Sequence, residues 1–145
     1  MVNFILIVLI GLLGGAAVGI QSPIAGSMGY RIGGAASSLI IHLGGAAVSA
    51  FLLWARQGEQ IHKAFGLPWY MIASGGLGVI LFLTLTHTLP RLGATSALTL
   101  IIVGQLAVGM LIDQLGLFGI AQRPIDGGRV IALLLLISGG YLMIR

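Results

Sequence analysis

The chain has 145 residues, 58% hydrophobic and 7% charged, with 24 Gly, no Cys and a formal net charge of +4; its mean hydropathy is +1.12. A water-soluble domain keeps polar side chains over most of its surface, so this composition excludes one and points to an all-α integral membrane protein of a single domain, residues 1–145. The cations stand singly rather than in a basic stripe, which argues against nucleic acid, and the lack of Cys excludes disulfides, thiolate metal sites and thiol redox centres.

A helix crossing about 30 Å of hydrocarbon needs roughly 20 apolar residues, and a lone strand in lipid would leave its backbone unpaired. Five helical spans are therefore expected, at residues 2–28, 35–54, 68–89, 93–115 and 128–144. The first could pass for a secretory signal, but no Lys or Arg precedes Phe4, so a retained span is expected. On that helix Gly11, Gly15, Gly19, Ser22, Gly26 and Gly29 fall within an arc of about 80°, a small-residue face suited to close helix packing. Its phase persists past Pro23, which predicts one helix kinked at Pro23, with the Gly19 carbonyl freed beside Gln21 and Ser22.

The second span ends in a polar loop holding Arg56, Glu59, His62 and Lys63, flanked by Trp54, Trp69 and Tyr70 in the manner of a membrane interface. Pro68 suits a first helical turn, and Pro90 with Arg91 and Gly93 predicts a stop and a tight hairpin into the fourth span. The fourth ends near Gly116, and Arg123, Pro124 and Asp126 mark the last loop. The tetrad Gly-Gly-Ala-Ala recurs at Gly14, Gly33 and Gly44, at unequal intervals that do not make a repeat.

Five spans divide the cations almost evenly. Arg56, Lys63, Arg123 and Arg129 fall on the side of residue 1, while Arg31, Arg91 and Arg145 fall on the other. Cytoplasmic loops normally carry an excess of Lys and Arg, so this near tie is compatible with insertion in both orientations.

Three strongly polar side chains lie well inside their spans: Gln21, His42 and Gln105. Such groups normally face a bundle interior or wet cavity, as pathway lining or as interhelical hydrogen-bond partners. Thr95, Thr99 and Asp113 share a flank of the fourth helix, where Asp113, close to the helix end, reads as a solvated or Arg-paired carboxylate. Thr84, His87 and Thr88 cluster at the far end of the third, too shallow to suggest chemistry. Three isolated His and three acids show no metal-ligand spacing, and neither a Ser-His-Asp set nor a phosphate loop is present. No metal, cofactor or enzymatic activity is expected.

The run Pro90-Arg91-Leu92-Gly93-Ala94, then Gly104-Gln105-Leu106, Ile112-Asp113, Gly116, Arg123-Pro124 and Gly139, resembles the YdcZ-type branch of the drug/metabolite transporter superfamily. The likeness is most specific from Pro90 to Arg129; Ala25 stands where that pattern often has Asn, and His42 where it often has an aromatic. The resemblance implies a multi-pass bacterial inner-membrane protein. It also implies relatives that occur as single dual-topology chains, as pairs or as fused ten-helix proteins. An odd span number accounts for that series, because fusing two copies inverts the second relative to the first. The small multidrug resistance cousins use a midmembrane Glu in the first helix for proton coupling; Gln21 stands in this chain, which implies a neutral or amphiphilic substrate. The resulting expectation is a small secondary transporter acting as an antiparallel homodimer in the lipid bilayer, its pathway lined by Gln21, Ser22, His42, Thr99 and Gln105. The alternatives are a non-transporting membrane interaction subunit and a narrow channel.

Overall fold

The computed structural model describes residues 2–145, with side chains from residue 4 onward. The described residues are helical and joined by short turns: α1 Val2–Ile32, α2 Gly34–Ala55, a 3₁₀ turn Ile61–Gly66, α3 Trp69–Ala73, α4 Gly75–Leu115, a 3₁₀ turn Leu117–Gly119 and α5 Gly127–Ile144. Phe4–Ile32, Gly34–Ala55, Trp69–Leu115 and Gly127–Ile144 are each long and apolar enough to cross a membrane. The chain forms two compact units, one ending at Arg91 and one comprising Leu92–Arg145.

The expected boundary at Pro90 lies three residues later. Pro90 sits inside α4, and the backbone leaves helical geometry at Gly93 (φ 75°, ψ 169°). Proline removes one hydrogen bond and a helix can carry it, whereas the conformation at Gly93 is open essentially to glycine alone. A straight helix of 47 residues would measure about 70 Å, more than twice the hydrocarbon thickness, so the break at Gly93 divides it into two membrane-length pieces. At Pro23, by contrast, α1 runs on to Ile32, four residues beyond the expected end.

In the first unit, only Gly33 (φ 93°) separates α1 from α2. Ala25, Gly26 and Gly29 of α1 are buried, as are Ser37 and Ser38 of α2 and Phe82 and Leu85 of α4. Glycine makes this approach possible: a Cβ on Gly26 would lie 3.1 Å from Leu89 Cδ1, and one on Gly34 2.8 Å from Leu83 Cδ2. A Cβ on Gly29 would run into Thr86, whose hydroxyl donates to Phe82 O at 2.9 Å. Gly11, Gly14, Gly15 and Gly19 would meet nothing within 4 Å, so within the chain the contacts of the small-residue face begin near Ser22. The α2 end closes with Gly58 N–H on Leu53 O (2.8 Å) and Gln57 N–H on Trp54 O (3.0 Å), a Schellman motif with Gln57 at φ 57°.

In the second unit, the loop after α4 folds back to satisfy the last carbonyls of that helix, which have no partners within it. Arg123 N–H donates to Asp113 O (2.8 Å), Gln122 Nε2 to Gln114 O (2.8 Å), and Ile125 N–H to Gln114 Oε1 (2.6 Å). Asp126 caps α5, its carboxylate accepting from Arg129 N–H at 2.8 Å. Arg129 then reaches Asp113 Oδ2 at 3.1 Å, so the carboxylate is paired with a cation from the next helix.

Candidate functional site

Hydroxyls within the helices largely satisfy themselves. Thr84, Thr88 and Ser138 donate to carbonyls three or four residues back, the arrangement expected where water is absent. The exceptions tie helices together. Ser37 Oγ donates to Ala25 O at 2.8 Å across the buried α1–α2 seam, and Ser96 Oγ donates to Met143 O at 2.8 Å from α4 to α5. Hydrogen bonds between membrane helices are worth about 0.6 kcal/mol on average and up to about 1.7. Ser37→Ala should therefore lower stability by about 0.5–1.5 kcal/mol in an SDS titration in mixed micelles, with helix content unchanged.

His42 is the titratable group deepest in the first unit. Its Nδ1 lies 2.7 Å from Ser38 O and 3.2 Å from Ser38 Oγ. A carbonyl only accepts, so Nδ1 carries a proton in this contact. Nε2 occupies the space left by Gly78, 2.7 Å from where a Cβ would stand. The ring meets Phe82 edge-on, centroids 5.4 Å apart. The Ser38–His42 pair at i, i+4 was readable from helical periodicity; the role of Gly78, from another helix, was not.

The other expected site residues fall into distinct settings. Ser22 is buried, 3% exposed. Thr99 lies in the second unit, its Oγ1 2.8 Å from Thr95 O and 3.2 Å from Met143 Sδ, beside Gly140. Gln21 and Gln105 are exposed, and neither amide has a hydrogen-bond partner among the described residues. Thus Gln21, Ser22 and His42 belong to the first unit, and Thr99 and Gln105 to the second. Among the described residues no group of three or more His, Cys, Asp or Glu could hold a metal ion.

Each unit carries polar groups within apolar spans: Gln21, Ser22 and His42 in the first, Thr99 and Gln105 in the second. Neither the curated proteins nor the solved structures provide a match to this chain. Residues 6–142 match the family described as "Putative inner membrane exporter, YdcZ"; the chain belongs to that family and is a multi-pass inner-membrane protein.

Proposed function

We propose that the protein is a secondary exporter of a neutral or amphiphilic small molecule, working as an antiparallel homodimer of five-span chains with the pathway between protomers. The observation that carries this reading is the pair of bare amides. Gln21 and Gln105 stand inside apolar spans with no hydrogen-bond partner among the described residues, and an unpaired amide facing hydrocarbon is costly. A substrate in the pathway would supply the missing hydrogen bonds. In this reading Gln21, His42, Thr99 and Gln105 line the pathway, and Ser22 joins them when the α1–α2 seam opens. Membership of an exporter family supports the direction. Gln21, in place of an acid, removes the carboxylate that would bind a cation or a coupling proton.

The test uses purified protein in liposomes and a panel of neutral amphiphilic dyes. Gln21→Leu and Gln105→Leu should each lower saturable counterflow at least ten-fold while dimerisation and melting temperature hold. Lost stability with no saturable flux in the parent protein would instead identify a non-transporting subunit. Unitary currents across a planar bilayer would identify a channel.

A further inference from the structure

The second unit contains a cleft of about 280 Å³ between the end of α4 and the start of α5. Leu106, Gly109 and Met110 form one wall, and Ala132, Leu133 and Leu136 the other. Asp113 and Arg129 close one end, 3.1 Å apart, their side chains 33% and 30% exposed. On each helix the lining residues recur at i, i+3, i+4 and i+7, so two matched stripes face each other over about 10 Å. The rest of the lining is apolar.

The position of the charged end selects the occupant. Asp113 lies two residues before the end of α4, and Arg129 is the third residue of α5, so the pair sits at helix ends while the apolar walls lead inward along the helices. That is the geometry of a lipid, with its headgroup at the interface and a chain along the protein. Charge at this end balances: Asp113 and Asp126, two of the three acids in the chain, stand with Arg123 and Arg129. An anionic headgroup would bring a like charge to Asp113, and a cationic one a like charge to Arg129. A zwitterion complements both. Arg129 spends one guanidinium nitrogen on Asp113 Oδ2 and keeps donors for a phosphate, while Asp113 Oδ1 makes no hydrogen bond among the described residues.

We propose that this cleft binds one zwitterionic phospholipid bearing a primary ammonium, of the phosphatidylethanolamine type. Its phosphate lies on Arg129, its ammonium on Asp113, and part of one acyl chain rests between Gly109 and Leu133. The site is separate from the pathway residues and does not depend on the transport reading. Phosphatidylcholine has the same charges and no N–H to donate; phosphatidylglycerol has the phosphate and no ammonium.

Native mass spectrometry of the purified full chain, titrated with each of the three lipids, tests the assignment. One phosphatidylethanolamine should be retained per chain, with phosphatidylcholine and phosphatidylglycerol at least ten-fold weaker. Gly109→Leu fills the cleft from a position where a Cβ meets nothing within 4 Å, leaving the ion pair in place. It should lower phosphatidylethanolamine retention at least ten-fold with an unchanged circular dichroism melt, and Arg129→Gln should do the same. Should Arg129→Gln fail to fold, Gly109→Leu alone decides. Equal retention of the three lipids, stronger retention of phosphatidylglycerol, or an undiminished signal in Gly109→Leu would overturn the proposal.

Discussion

Gly29→Ala should destabilise the protein by about 1–3 kcal/mol, the usual cost of forcing extra volume into a packed interior. The new methyl would run into the Thr86 hydroxyl and approach Thr86 Cβ and Cγ2 to 3.2 Å each. Thr86 cannot simply turn away. Its Cβ is branched, which restricts rotation inside a helix, and its hydroxyl is held by Phe82 O at 2.9 Å. Either α1 retreats from α4, opening the layer that buries Ala25 and Leu85, or Thr86 gives up its preferred rotamer. Thr86→Ala removes both Oγ1 and Cγ2 and should restore most of the loss in the double variant. The residual comes from the 3.2 Å approach to Cβ, which alanine retains. Gly15→Ala supplies the control, since a Cβ there meets nothing of its own chain within 4 Å. SDS titrations of the four proteins in mixed micelles give the coupling between Gly29 and Thr86 directly. A Gly29→Ala protein that unfolds with the parent would disprove the close packing of α1 on α4.

The same glycines show how far periodicity reaches. Helical phase placed Gly11 through Gly29 on one face, because phase is a property of a single helix. Which of them touch anything depends on a neighbour: a Cβ on Gly11, Gly15 or Gly19 would meet nothing within 4 Å, whereas one on Gly26 or Gly29 would meet Leu89 or Thr86 of α4. Polarity was legible in the same partial way. Gln21, His42 and Gln105 were visible as isolated polar groups, but the Gly78 notch that accommodates the His42 ring belongs to another helix. The boundary between the third and fourth spans was legible in the cluster Pro90, Arg91 and Gly93, but not which of the three carries the break. Proline advertises a lost hydrogen bond that a helix can tolerate, while the left-handed conformation at Gly93 is invisible until the backbone is traced. The place of Asp113 near a helix end left it as either a solvated or an Arg-paired carboxylate. Choosing Arg129 required the fold of the intervening loop, pinned by Arg123, Gln122 and Ile125.

Shifting a few charges should separate the two orientations that the antiparallel reading requires. In five spans the parent has Arg56, Lys63, Arg123 and Arg129 on one side against Arg31, Arg91 and Arg145 on the other, a difference of one from a total of 7. Gln57→Lys with Gln60→Lys adds two cations to the larger set. Arg56→Gln and Lys63→Gln with Tyr30→Lys reverses the balance. All five positions are exposed, and the pair broken by Arg56→Gln, with Glu59 at 3.0 Å, is a surface i, i+3 contact of small energetic weight. The cation-rich side stays in the cytoplasm. A single Cys at Ile144, in a chain without native Cys, reports orientation to an impermeant thiol reagent in intact cells. About half of the parent population should label, nearly all of the first variant and almost none of the second. Each variant alone should lose at least nine-tenths of the parent flux, because a protomer without an inverted partner cannot complete the pathway, and their co-expression should restore it. A fully labelled first variant that still transports at the parent rate would rule out the antiparallel dimer as the working unit.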